Sequence, residues 1–254
     1  MHDAVQQRVP ALAIRALEKR YGTQSVLDAI DLEVAAGAAF GLVGANGAGK
    51  TTLIKCTLDL CATNAGSIDI FGERHAEPRA RGRLAFFPER FVPPHYLTGR
   101  EFIALMLALN DAEHDAGRIA ALLEELELEA AALGRPVRQL SKGMTQKLGL
   151  ASCFLAPRDL YILDEPMSGL DPTSRVAVKT VLRRLMREGR TLFFTSHVLA
   201  DVEELCSSIA ILAAGKLRFH GAPLELCERY AEPNLERAFI RCVRDHGHTP
   251  QVRH

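Results

Sequence analysis

The residues best suited to chemistry lie in Gly44-Ala-Asn-Gly-Ala-Gly-Lys50-Thr51-Thr52. The run fits the pattern G-x-x-x-x-G-K-[ST], a P-loop. A polyphosphate needs backbone N–H groups turned inward around it. Side chains would block that approach, so glycines stand at Gly44, Gly47 and Gly49. Asn46 completes the loop. A helix beginning just after the loop adds its positive end. Lys50 supplies a point charge for the β- and γ-phosphates. Thr51 offers a hydroxyl to Mg²⁺, and Thr52 follows it into the helix.

A second candidate is Leu160-Tyr-Ile-Leu-Asp164-Glu165-Pro166, an apolar run ending in two acids. At the end of a parallel strand such side chains open toward a ligand crevice. Asp164 then suits Mg²⁺, and Glu165 suits polarising a water aimed at the γ-phosphate. Alone, an acid pair after a strand serves equally well as a solvated strand end. Its pairing with an upstream P-loop favours the hydrolytic reading.

These groups need strands to carry them and helices to pack the strands. Short apolar runs at 39–43, 160–163, 192–194 and 209–212 read as buried strands. Val178, Val181, Leu182, Leu185 and Met186 place one apolar stripe on a helix. Pro172 suits its first turn and Gly189 its end. Residues 198–206 read as a shorter helix. The alternation indicates an α/β fold with a largely parallel sheet. The stretch 92–158 has a different texture. Thr98 and Glu101 form a capping box before an apolar helical run, and residues 119–128 form another amphipathic helix.

Four further segments resemble those of ABC (ATP-binding cassette) ATPases. Leu140-Ser141-Lys142-Gly143-Met144 resembles their signature motif, and Ser168-Gly-Leu-Asp171 their D-loop. Thr195-Ser196-His197 resembles their switch histidine, and Phe87-Pro88-Glu89 stands where they carry a Q-loop. Asn234-Leu-Glu-Arg-Ala-Phe resembles a common C-terminal helix of the family, so the likeness runs from about residue 11 to 243. It implies a P-loop NTPase core with an N-terminal antiparallel β portion and an inserted α-helical subdomain. The expected divisions are 1–91 with 159–220 for the ATP-binding core, 92–158 for the helical subdomain with its signature, and 221–254 for a C-terminal extension and tail.

The resemblance also implies roles. ATP and Mg²⁺ are the expected ligands. Lys50, Thr51, Asp164 and Glu89 would hold phosphates and metal. Glu165 would act as base and His197 would contact the γ-phosphate, with Tyr21 stacking on adenine and Asp171 in the D-loop. Ser141 and Gly143 would meet ATP held by a second subunit, in a head-to-tail homodimer. Two departures stand out. The Q-loop glutamine is Glu89 here, which puts an extra negative charge near the metal. The signature carries Lys142 and Met144, and the sequence leaves the role of Lys142 open between a phosphate-facing cation and a solvated side chain.

The remaining features bound the partners. The 254 residues carry 31 basic and 31 acidic side chains, a net charge of +0 that gives no footprint for nucleic acid. The N-terminal stretch lacks the apolar run of a secretory signal, and no run approaches the roughly 20 apolar residues of a membrane span. A cytoplasmic location at the inner face of the cell membrane is expected, with membrane contact through a separate permease alone. The signature and Phe-Pro-Glu variants resemble ATPases of two-component exporters. The segment 91–97, apolar and rich in aromatic and proline residues, is the expected docking surface for that permease. A soluble ATPase acting on a ribosome or nucleic-acid complex is the alternative. It is disfavoured by the single cassette and by an interval between Lys50 and Ser141 too short for a long coiled coil. The 6 cysteines show no metal-ligand spacing and read as reduced thiols. His246, His248 and His254 read as part of a solvated tail.

Overall fold

A computed structural model describes residues 9–245. They pack as two compact units, one formed by the chain up to Gly82 together with Thr195 onward, the other by Arg83–Phe194. The histidine-bearing tail lies outside the described residues.

The first unit opens with a hairpin of β1 (Leu12–Tyr21) and β2 (Gln24–Val34), turned at Gly22 in the left-handed region. Next come β3 (Ala39–Val43), α1 (Lys50–Thr57), β4 (Ala65–Ile70), β5 (Glu73–Arg74) and the short α2 (Pro78–Arg81). The order β2-β1-β4-β5 makes an antiparallel sheet, as expected for the N-terminal part. Leu12, Ile14, Leu17, Leu27, Ile30, Leu32 and Val34 supply its buried side chains. The β1–β2 register shifts between Ile14 and Leu17, where Ala16 has φ 42. Such bulges twist the ribbon and break a simple alternation of apolar and polar residues.

The second unit holds β6 (Leu84–Phe87), α3 (Gly99–Leu109), α4 (Ala116–Glu125), α5 (Lys142–Leu155), β7 (Leu160–Leu163), α6 (Pro172–Arg187) and β8 (Thr191–Thr195), the last reaching the boundary between units. Strands β6, β7 and β8 run parallel. The capping box at α3 is present: Thr98 Oγ1 accepts from Glu101 N at 3.2 Å, and Thr98 N donates to Glu101 Oε2 at 2.8 Å. That amide and the Thr98 hydroxyl, which donates to the same oxygen at 2.8 Å, hold the Glu101 carboxyl below the usual range. At the end of α6, Gly189 N donates to Met186 O and Arg190 N to Leu185 O, at 2.9 and 3.0 Å. Gly189 takes the left-handed conformation that this stop requires.

Gly149 stands in the middle of α5, where glycine costs about 1 kcal/mol relative to alanine. Packing explains it. A Cβ there would fall 2.5 Å from Phe91 Cε1 and 2.7 Å from Phe87 Cε2. Gly149→Val is expected to destabilise the chain by about 1–3 kcal/mol through overpacking, measured as a lowered urea midpoint. An unchanged midpoint would mean the rings move aside freely.

The chain then returns to the first unit with α7 (Leu199–Leu205), β9 (Ser208–Ala213), β10 (Lys216–Gly221), α8 (Pro223–Tyr230) and α9 (Leu235–Asp245). β9 lies parallel to β3 on one side and antiparallel to β10 on the other. Among the described residues no helix is long and apolar enough to cross a membrane.

Candidate nucleotide site

In the first unit the loop from Gly44 to Gly49 leaves the end of β3 and runs into α1. Gly44 N-terminal to the turn presses on β9: a Cβ there would stand 2.4 Å from Leu212 O. Gly49 has φ 111 and gives α1 an N-cap without any side-chain hydrogen bond. No acid stands in the first turn of α1 either. The first amides of α1 therefore form an electropositive end that no side chain of the helix caps, the arrangement a phosphate group fits. The hairpin turn at Gly215 clamps the loop from behind, with Gly215 N donating to Ala48 O at 3.2 Å and Gly215 O accepting from Asp28 N at 2.9 Å.

Lys50 folds back over this loop. Its Nζ donates to Gly44 O at 2.6 Å and to Ala45 O at 3.3 Å. Asn46, Gly47 and Thr51 are exposed, and Thr52 is half-buried. Tyr21, at the end of β1, is 49% exposed. The Lys19 ammonium stands 4.7 Å from the centre of the Tyr21 ring. His197 lies exposed between β8 and α7, after the buried Ser196.

The second unit gathers the acids. The β6–β7 register pairs Phe87 with Leu163, so both strands end side by side. Asp164 N donates to Phe87 O at 2.8 Å, which sets Pro88-Glu89 beside Asp164-Glu165. Asp164 is 3% exposed and Glu165 9%. Glu165 has φ 51, a left-handed conformation costing a non-glycine residue about 1–2 kcal/mol. The turn after it is fixed by Ser168 N donating to Glu165 O at 3.1 Å.

Ser141 and Asp171 both act as helix caps. Ser141 Oγ accepts from Met144 N at 3.2 Å, starting α5. Asp171 accepts from Ser174 N at 2.9 Å and from Ser174 Oγ at 2.8 Å, starting α6. Those two bonds draw the Asp171 carboxyl below its usual range. The segments around the two caps touch. The side chain of Lys142 lies across Gly169, where a Cβ would fall 3.0 Å from Lys142 Cε and 3.1 Å from Nζ. Lys142 is exposed, and its side chain runs along the turn after Glu165. Gly169, at φ 74, leaves room for it.

Two contacts escaped the sequence reading. Gln146 is buried, and its Nε2 donates to Pro166 O at 3.0 Å, tying α5 to the turn after the acids. Lys147 is buried and donates to Glu127 O at 3.1 Å. Both lie one turn or more beyond Ser141, inside a helix, where residue type alone carries no signal for a long-range bond. The segment 91–97 is split: Phe91 packs on Phe87 and Phe102 with ring centres 5.4 and 5.7 Å apart, whereas Val92 and Tyr96 are 86% and 68% exposed.

The profile of the ABC transporter family matches residues 27–168. An uncharacterised ABC transporter ATP-binding protein of Synechocystis is 37% identical over 204 residues, covering 79% of this chain and 57% of that protein. The Nod factor export ATP-binding protein I of Ralstonia nicotianae is 35% identical over 228 residues, covering 85% of this chain and 68% of that protein. Among solved structures, an ATP-binding subunit of an ABC transporter superposes with a TM-score of 0.83 at 30% identity, covering 91% of this chain and 99% of the other. The chain thus spans little more than half of the Synechocystis relative and nearly all of the solved subunit. Profile, relatives and fold agree with the motifs, and the chain belongs to the ABC transporter family as an ATP-binding subunit.

Proposed function

We propose that this chain binds and hydrolyses Mg-ATP and, as one of two copies, powers export through a separate membrane permease. The observation that carries the reading is the alignment of Glu89 with Asp164 and Glu165 at neighbouring strand ends, fixed by the bond from Asp164 N to Phe87 O. Oxygen donors of this kind suit Mg²⁺, which prefers carboxylates and hydroxyls. Thr51, Asp164 and Glu89 would hold the ion, which when bound offsets phosphate charge. The glycines of the loop and the uncapped start of α1 receive the polyphosphate. Lys50 exchanges its two carbonyl partners for phosphate oxygens. Glu165 orients and deprotonates the attacking water. His197 steadies the γ-phosphate, and Tyr21 offers its exposed face to the base. Ser141 and Gly143 of the second copy complete the site. These roles follow from the motifs and from the family.

Export is supported by the relatives named for Nod factor export and by the signature and Phe-Pro-Glu variants. The permease would meet the exposed part of 91–97 on the helical subdomain 92–158. The chain would then sit at the inner face of the cell membrane.

The test is phosphate release from ATP by the purified chain, titrated with Mg²⁺. Release that requires Mg²⁺ is the expected result, and none at any Mg²⁺ concentration would refute the hydrolytic reading. Glu89 adds a sharper expectation. A carboxylate beside the γ-phosphate leaves more charge for the metal to offset than an amide does, so Glu89→Gln should relax the Mg²⁺ requirement. An unchanged titration curve would remove Glu89 from the metal's surroundings.

A further inference from the structure

The helix that begins at the phosphate loop ends in a thiol pair. At its C-terminus, Leu60 N donates to Lys55 O and Asp59 N to Cys56 O, at 2.9 and 3.1 Å. With Asp59 at φ 59, this is a left-handed helix stop that turns the chain back on itself. The turn brings Cys61 Sγ to 3.5 Å from Cys56 Sγ. Cys56 is buried and Cys61 half-buried, so one thiol of the pair can be reached from solvent. The surroundings are polar. Lys19 is buried beside the pair, and its Nζ donates to Ala62 O at 2.6 Å.

We infer that Cys56 and Cys61 form an oxidisable dithiol, a site for disulfide formation at the end of the helix that starts at the phosphate loop.

The sulfurs need to approach by only roughly 1.5 Å to reach a disulfide bond of about 2.05 Å. The oxidant is a small-molecule disulfide. Cys61, the accessible thiol, loses its proton and attacks one sulfur of that disulfide, whose S–S bond breaks to release one small thiol. Cys56 then loses its proton and attacks Cys61 Sγ, and the second small thiol leaves. Two protein thiols are oxidised, and one small disulfide is reduced to two thiols. The order of attack follows from burial, which pushes the Cys56 thiol up to about 12, while the Lys19 charge opposes that rise.

The test equilibrates the full chain with mixtures of oxidised and reduced glutathione, traps free thiols by alkylation, and maps the tryptic peptide 56–74, which holds both cysteines. The expected result is a peptide lacking two hydrogens and resistant to alkylation. Cys61→Ser should leave Cys56 a free thiol at every glutathione ratio, alkylated once the chain is unfolded. Full alkylation of both cysteines in the unaltered chain, or glutathione retained on Cys61, would overturn the dithiol.

Discussion

Glu165→Gln is expected to slow ATP hydrolysis by roughly 10²–10⁴, the usual contribution of a positioned general base, with nucleotide still bound. Glutamine keeps the shape and one side-chain oxygen but cannot take a proton from water near neutral pH. The structure gives the base an unusual mount. Glu165 is 9% exposed and its backbone is left-handed, at φ 51. The residues after it are held by Gln146 bonded to Pro166 O and by Ser168 N bonded to Glu165 O. Strain kept in place by several independent contacts is a mark of a site where orientation matters. Phosphate release and bound nucleotide, measured on the same sample, check the prediction. A rate close to that of the unaltered chain would mean the water is activated elsewhere.

The second large effect is on binding. Lys50→Met removes the ammonium that now bonds Gly44 O at 2.6 Å and Ala45 O at 3.3 Å. A hydrogen bond to a charged group is worth about 1.5–3 kcal/mol, so ATP affinity should fall roughly ten- to a hundredfold. The readout is thermal. At ATP a hundredfold above the dissociation constant, the ligand stabilises the folded chain by about 2.7 kcal/mol. After a ten- to hundredfold loss of affinity, the same ATP concentration contributes only about 1.4 to 0.4 kcal/mol. The ATP-induced rise in Tm should therefore fall to about half or less. A full rise in the Lys50→Met chain would place the phosphates somewhere other than this loop.

Legibility in the sequence followed how each element is buried. Residues 39–43 and 160–163 were readable as strands because both faces are covered, so every side chain is apolar. The helix after Asp171 was readable because its buried residues Val178, Val181, Leu182 and Leu185 keep helical spacing. The strands of the N-terminal sheet were expected only as a class. Bulges near Ala16 and Ala29, both at positive φ, break the period of two on which strand recognition depends. Strand 84–87 escaped because all four residues are apolar, so the alternating burial leaves no trace in the residue types.

The candidate site divides in the same way. The phosphate loop and the acid pair are contiguous stretches, so their chemistry is visible in order and spacing. The course of Lys142 across Gly169 and the bond from Gln146 to Pro166 depend on the path of the turn after Glu165. The Cys56–Cys61 pair depends on a single left-handed residue, Asp59. Neither path can be read from residue types alone.

That this chain drives a separate membrane protein can be checked by affinity purification. Tagged Glu165→Gln would be expressed in the native host, given Mg-ATP, and recovered from detergent-solubilised membranes. One polytopic membrane protein should co-purify, and it should be lost when Lys50→Met is added. Recovery of ribosomes or nucleic acid, or of no membrane protein at all, would contradict this reading.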